Sequence, residues 1–137
     1  MGSKVEHYVH FVWSTLARRQ LITTELEQVI HGVLKIKCLE ARCQAIAIGG
    51  TSDHVHVLAS LHPSVSVARL AGIMKGTSSS AVRRGAAPLA DFAWQSGYGA
   101  FSVGPREREA VERYVTDQKN RHATERVAAQ WEAPGDC

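Results

Sequence analysis

A chain of 137 residues, 45% hydrophobic and 21% charged, can bury a single core and has the composition of a folded globular domain, which excludes a disordered polypeptide. Lys and Arg number 16 against 13 Asp and Glu, a net charge of +3 that permits a polyanionic partner without requiring one. Cys38, Cys43 and Cys137 form no C-x-x-C pair, so thiolate zinc and a disulfide framework are not indicated. With no apolar leader and no run of membrane-spanning length, the expectation is a reduced, soluble, cytoplasmic protein that engages no membrane.

In chain order, "KVEHYVHFVWST" (4–15) is dense in β-branched and aromatic residues, with Val5, Val9, Phe11 and Trp13 on one parity. It predicts a long strand. Thr23 or Thr24 can cap a helix reaching about Arg42, with Leu26, Val29, Ile30, Val33, Leu34 and Ile36 at helical spacing. "CQAIAIGGTSDHVHVLASL" predicts two strands, 43–48 and 54–61, joined by a Gly-Gly-Thr-Ser-Asp turn as a hairpin. Pro63 with Ser64 or Ser66 opens a second helix whose stripe includes Val67, Leu70, Ile73 and Met74. Ser78, Ser79 and Ser80 weaken its end.

After the loop "GAAPLAD", "FAWQSGYGAFSVG" (92–104) reads as an aromatic strand region. Gly104-Pro105 then breaks the chain before a third helix over 106–122, amphipathic through Ala110, Val111, Tyr114 and Val115. The chain reads as one domain with a core at 4–122 and a polar tail at 123–137, in which Trp131 alone suggests docking. Strand, helix, hairpin, helix, strand, helix predicts an α+β fold: a ferredoxin-like β-α-β-β-α-β antiparallel sheet with two helices on one face and an appended C-terminal helix carrying Tyr114. Such a scaffold hosts many functions, so chemistry must be argued from residues.

In "SDHVHVLAS" (52–60), His54 and His56 point to one face of a strand, with Cα atoms about 7 Å apart. Their tips can close on one ion as two ligands, or they can be two satisfied histidines. Tyr114 and Gln118 are four apart, one turn along a helical face. A carboxamide oxygen suits a hard cation such as Mg²⁺ or Mn²⁺, and a phenol one turn away can reach a phosphate held there. Alternatively Tyr114 packs in the core and Gln118 is solvated.

The ordered series "HYVHFVWSTLARRQLIT", "DHVH", "MKGTSS", "GYGAFSVG" and "YVTDQ" resembles the single-tyrosine HUH transposases, small transposases of minimal insertion sequences and of relatives associated with repetitive extragenic palindromes. The resemblance spans roughly residues 4–122. It implies that His54, His56 and Gln118 bind a divalent ion, Mg²⁺ or Mn²⁺, and that Tyr114 attacks single-stranded DNA. The product implied is a 5′-phosphotyrosine and a free 3′-OH. One departure is the segment after the glutamine, where many relatives have paired histidines and "KNRHAT" supplies only His122.

The resemblance further implies a partner DNA with hairpin structure and a homodimer, with Tyr114 acting in its own subunit or in the other. Lys75, Arg18, Arg19, Arg83 and Arg84 are the candidate phosphate contacts, Lys75 because "MKGTSS" carries it. Two other classes stay open: a metal-dependent phosphoester hydrolase using the histidine pair with a carboxylate such as Asp53, and a non-catalytic nucleic-acid-binding module.

Overall fold

The computed structural model describes residues 2–85 and 89–123, the side chains of 121–123 excepted; the polar tail beyond them, with Trp131, lies outside the described residues. Strand β1 (Tyr8–Ser14) leads through a tight turn at Leu16–Arg18 to helix α1 (Thr24–Glu40). The hairpin β2 (Gln44–Gly50) and β3 (His54–Ser60) follows, then α2 (Val67–Arg84) and β4 (Gly99–Val103). Two short helices close the series, α3 (Arg108–Thr116) and α4 (Gln118–Ala123). The sheet order is β2-β3-β1-β4 with every pair antiparallel, which is the expected ferredoxin-like arrangement. No described helix is long and apolar enough to cross a membrane.

Local chemistry explains the helix starts. Thr23 accepts a hydrogen bond from the Leu26 amide at 3.2 Å, and Ser66 accepts one from Arg69 at 3.1 Å. Each cap satisfies an amide that the first helical turn leaves without an intrahelical acceptor. Along α1 the buried line is Leu26, Ile30, Leu34 and Cys38, a strict four-residue spacing. Val29 and Ile36, expected in that stripe, lie on its flank and are 42% and 55% exposed.

Three expectations need correction. Gly49 and Gly50 are not turn residues: they pair with His56 and Val55, and the turn is confined to residues 51–53. The aromatic region 92–104 is strand only over Gly99–Val103. Its earlier half folds back as a loop, where Phe92 is buried and the Trp94 indole donates to Ser78 Oγ at 2.9 Å. Ser78 is therefore a buried anchor, itself donating to the Met74 carbonyl at 2.7 Å. The third helix is also interrupted, because Asp117 (φ −103°, ψ 25°) ends α3 before α4 begins.

Strand alternation divides the sheet into two faces. Val9, Phe11 and Trp13 of β1, with Val55, Val57 and Ala59 of β3, pack against Leu26, Ile30 and Leu34 of α1 and Leu70, Ala71 and Met74 of α2. On the opposite face Tyr8, Ala47, Leu58 and Val103 meet Val111 and Val115 of α3. That second apolar cluster is small, and it seats α3 over the polar centre of the sheet.

Candidate functional site

His54 and His56 lie on the α3 face, 2% and 0% exposed, with ring centroids 5.0 Å apart. Tyr114, 1% exposed, presents itself edge-on to the His56 ring at 5.7 Å between centroids. Gln118 is equally buried, and its Oε1 is 3.5 Å from His54 Nε2. The structure thus brings together, within one chain, the four side chains singled out from sequence. It does so differently from the expected single helix. Tyr114 lies in the last turn of α3 and Gln118 begins α4, and the link is a hydrogen bond from Gln118 Nε2 to the Tyr114 carbonyl at 2.8 Å.

The close approach of α3 depends on Gly49, which sits directly across β2–β3 from His56. A Cβ added there would lie 1.8 Å from the Val115 carbonyl oxygen, so only glycine lets the helix backbone down onto the sheet. The sequence "GG" carries that signal, but it reads equally well as turn punctuation.

Hydrogen bonding fixes the orientation of each donor. His54 Nδ1 is 2.7 Å from Asp53 Oδ1 and 2.9 Å from Thr51 Oγ1. The carboxylate can only accept, so Nδ1 carries the proton, and in the neutral ring Nε2 then offers a lone pair. The bond from Gln118 Nε2 to the Tyr114 carbonyl likewise directs Oε1 at His54. Two electron-pair donors therefore face each other at 3.5 Å, an opposition that a cation between them would relieve. His54 and Gln118 fit a divalent ion on this ground, and the His56 ring lies beside them, its centroid 5.0 Å from that of His54.

A fifth residue, absent from the sequence-based expectation, joins the cluster. His10 of β1 is 0% exposed and lies edge to edge with His56, the rings 24° from parallel with centroids 5.0 Å apart and His10 Nε2 2.7 Å from His56 Nδ1. It also meets the Tyr114 ring edge-on at 6.1 Å. The apolar parity of the strand is carried by Val9, Phe11 and Trp13, whereas His10 belongs to the other one. A signal existed: once β1 is placed beside β3, even-numbered residues of both strands share a face.

Asp53 reaches beyond His54 to Arg18, whose Nε is 3.7 Å from Oδ2. The hydrogen bond from His54, aided by Thr51 and the Arg18 charge and opposed by burial, holds the Asp53 carboxyl down at about 2. Arg18 is displayed by a turn in which Ala17 and Arg18 both adopt left-handed backbone, φ 56° and 54°. Non-glycine residues rarely pay that strain, and here Thr15 pins the turn by donating its amide to the Asp53 carbonyl at 2.8 Å.

The other basic candidates lie elsewhere. Lys75 donates Nζ to the Gln95 and Gly97 carbonyls at 2.9 and 2.6 Å, and burial lowers its pKa. Arg19 faces Asp91 at 3.5 Å, and Arg83 donates to the Phe92 carbonyl at 3.3 Å. Arg84 is exposed at the end of α2. Lys75 and Arg83 thus hold the loop between α2 and β4, and Arg19 forms an exposed ion pair with it.

Comparison with known proteins adds the following. The sequence matches the family described as Transposase IS200 like over residues 3–118. A solved structure of a REP-associated tyrosine transposase bound to a REP hairpin superposes with a TM-score of 0.67 at 13% identity, covering 93% of this chain and 74% of that one. A structure from Deinococcus radiodurans R1, assigned as a transposase, gives 0.65 at 18% identity over 84% of this chain and 92% of that one. At such identities these two likenesses establish the fold. No curated protein sequence matches the chain.

Proposed function

The chain belongs to the IS200-like transposase family, and from that premise we propose that it is a single-tyrosine strand transferase acting on single-stranded DNA. Tyr114 is the nucleophile in this reading, and His54, His56 and Gln118 hold a divalent ion, Mg²⁺ or Mn²⁺. The observation that carries it is the meeting of one phenol, one carboxamide and two imidazoles on the sheet face opposite the core. Because all four belong to one chain, the reading needs no exchange of α3 between subunits of a homodimer.

When bound, the ion would polarise the scissile phosphate and favour the phenolate. Tyr114 Oη forms a bond to phosphorus as the bond from phosphorus to the 3′ oxygen breaks. The phenol gives up a proton, and the departing 3′ oxygen gains one. The downstream strand stays on the enzyme as a 5′-phosphotyrosine. That ester retains the energy of the original linkage, so the 3′-OH of another strand can reverse the step without ATP. Since Tyr114 is 1% exposed, DNA entry has to open the face over it.

For substrate contact, Arg18 is the favoured phosphate ligand, since Asp53 links it to the histidine pair. A DNA hairpin is the favoured substrate form, supported by the REP hairpin on the structurally similar transposase. The alternative of a hydrolase with Asp53 as third ligand fits less well. That carboxylate is already engaged with the far nitrogen of His54.

A hairpin oligonucleotide labelled at its 3′ end tests the reading with Mg²⁺ or Mn²⁺ on a denaturing gel. Label is expected to travel with the wild-type protein, and with neither Tyr114→Phe nor His54→Ala, while Tyr114→Phe still binds the DNA. An adduct of undiminished yield in Tyr114→Phe would remove Tyr114 from the role.

A further inference from the structure

We propose that His10 is a positioning residue that sets the tautomer of His56, and so decides which nitrogen of that ring is offered to the ion. The inference rests on the reading of His56 as a ligand and adds a role for a residue on a different strand. A neutral imidazole has one N–H and one lone pair. His56 Nδ1 and His10 Nε2 stand 2.7 Å apart, with one proton shared between them. If His56 is to present a lone pair at Nε2, its proton must be on Nδ1 and His10 Nε2 must accept it. His10 then carries its own proton on Nδ1.

The surroundings hold His10 to that task. It is wholly buried in β1, its ring nearly in the plane of His56 (24°) as an in-plane hydrogen bond requires, and it is flanked by Phe101 at 5.9 Å and Tyr114 at 6.1 Å. The two candidate ligands are thus built alike. Each has its Nδ1 tied, His54 by the carboxylate of Asp53 and His56 by a third imidazole. Ligating histidines are commonly oriented this way through the nitrogen that does not bind the ion. Without an acceptor, a neutral imidazole prefers the proton on Nε2, where it would block coordination.

Long-range ¹H–¹⁵N spectra of the ion-free protein read the ring protons directly, and Mn²⁺ titration reads the consequence. Wild-type His56 is expected as the Nδ1–H form. His10→Phe keeps a flat ring but removes the acceptor, so His56 should revert to Nε2–H and Mn²⁺ affinity fall about 10–100-fold. His10→Gln, which restores an acceptor, should recover part of both. An Nε2–H form of His56 in the wild type would overturn the proposal, as would an unchanged tautomer and affinity in folded His10→Phe. Failure of the wild type to take up Mn²⁺ would instead overturn the ion site. The spectra alone would then support His10 if Nδ1–H is seen in the wild type and lost in His10→Phe, and refute it otherwise.

Discussion

The two faces of the sheet are made from the same strands and behave as different materials. Odd positions of β1 and β3 (Val9, Phe11, Trp13, Val55, Val57, Ala59) face α1 and α2 and form a continuous apolar core. Even positions (His10, His54, His56) face α3 and form a buried polar cluster joined by Tyr114 and Gln118. A period of two residues is all that separates them. Stability is thereby concentrated on one face, which leaves the other free to bury hydrogen-bonded imidazoles that contribute chemistry. Burying polar groups is tolerable here because the Nδ1 nitrogens of His54 and His56 are each held by a neighbour.

Substitutions across the two faces should separate accordingly. Phe11→Ala opens a cavity under α1 and α2 and should cost about 3–5 kcal/mol in urea unfolding. Tyr114→Phe, by contrast, should cost no more than about 1 kcal/mol while eliminating the DNA adduct. Comparable losses from both would break the division.

Gly49→Ala sharpens it from the site side. The new methyl meets the Val115 backbone, so α3 must rise from the sheet, with a stability loss of about 1–3 kcal/mol and loss of the adduct. Wild-type adduct yield in this variant would show that the seating of α3 does not matter.

The smallest effect lies on the core side, at Cys38 of α1. Burial, with Cys43 nearby, pushes its thiol from 9.0 up to about 12. The folded value is raised, so the stabilisation is complete below pH 9.0 and is lost as pH rises towards about 12. The stability advantage of wild type over Cys38→Ala should therefore shrink between neutral pH and about pH 11. A constant difference would contradict the burial of that thiol.

Much of the architecture was legible because local rules dominate it. The hydroxyl caps at Thr23 and Ser66, the alternation through His54–Ser60 and the four-residue spacing from Leu26 to Cys38 each act within a few residues. What was hidden depends on contacts far apart in sequence. His10 acquires meaning only beside His56, 46 positions away. Gly49 is a packing glycine only because α3 returns to it, and Ser78 is an anchor only because Trp94 folds back. The break at Asp117 has no local signal, since neither a glycine nor a proline stands between Thr116 and Gln118. Nor does the sequence show that Arg19 pairs with Asp91 and Arg83 with the Phe92 carbonyl, both in the loop before β4.

The most direct measurement is to digest the DNA-linked protein and find, by mass spectrometry, which side chain carries the nucleotide. Tyr8, Tyr98 and Tyr114 are the three phenols in the sequence. Modification confined to Tyr114 is the result expected from its place against His56. Nucleotide on Tyr8 or Tyr98, or on no tyrosine at all, would contradict the assignment of the α3 face as the reacting centre.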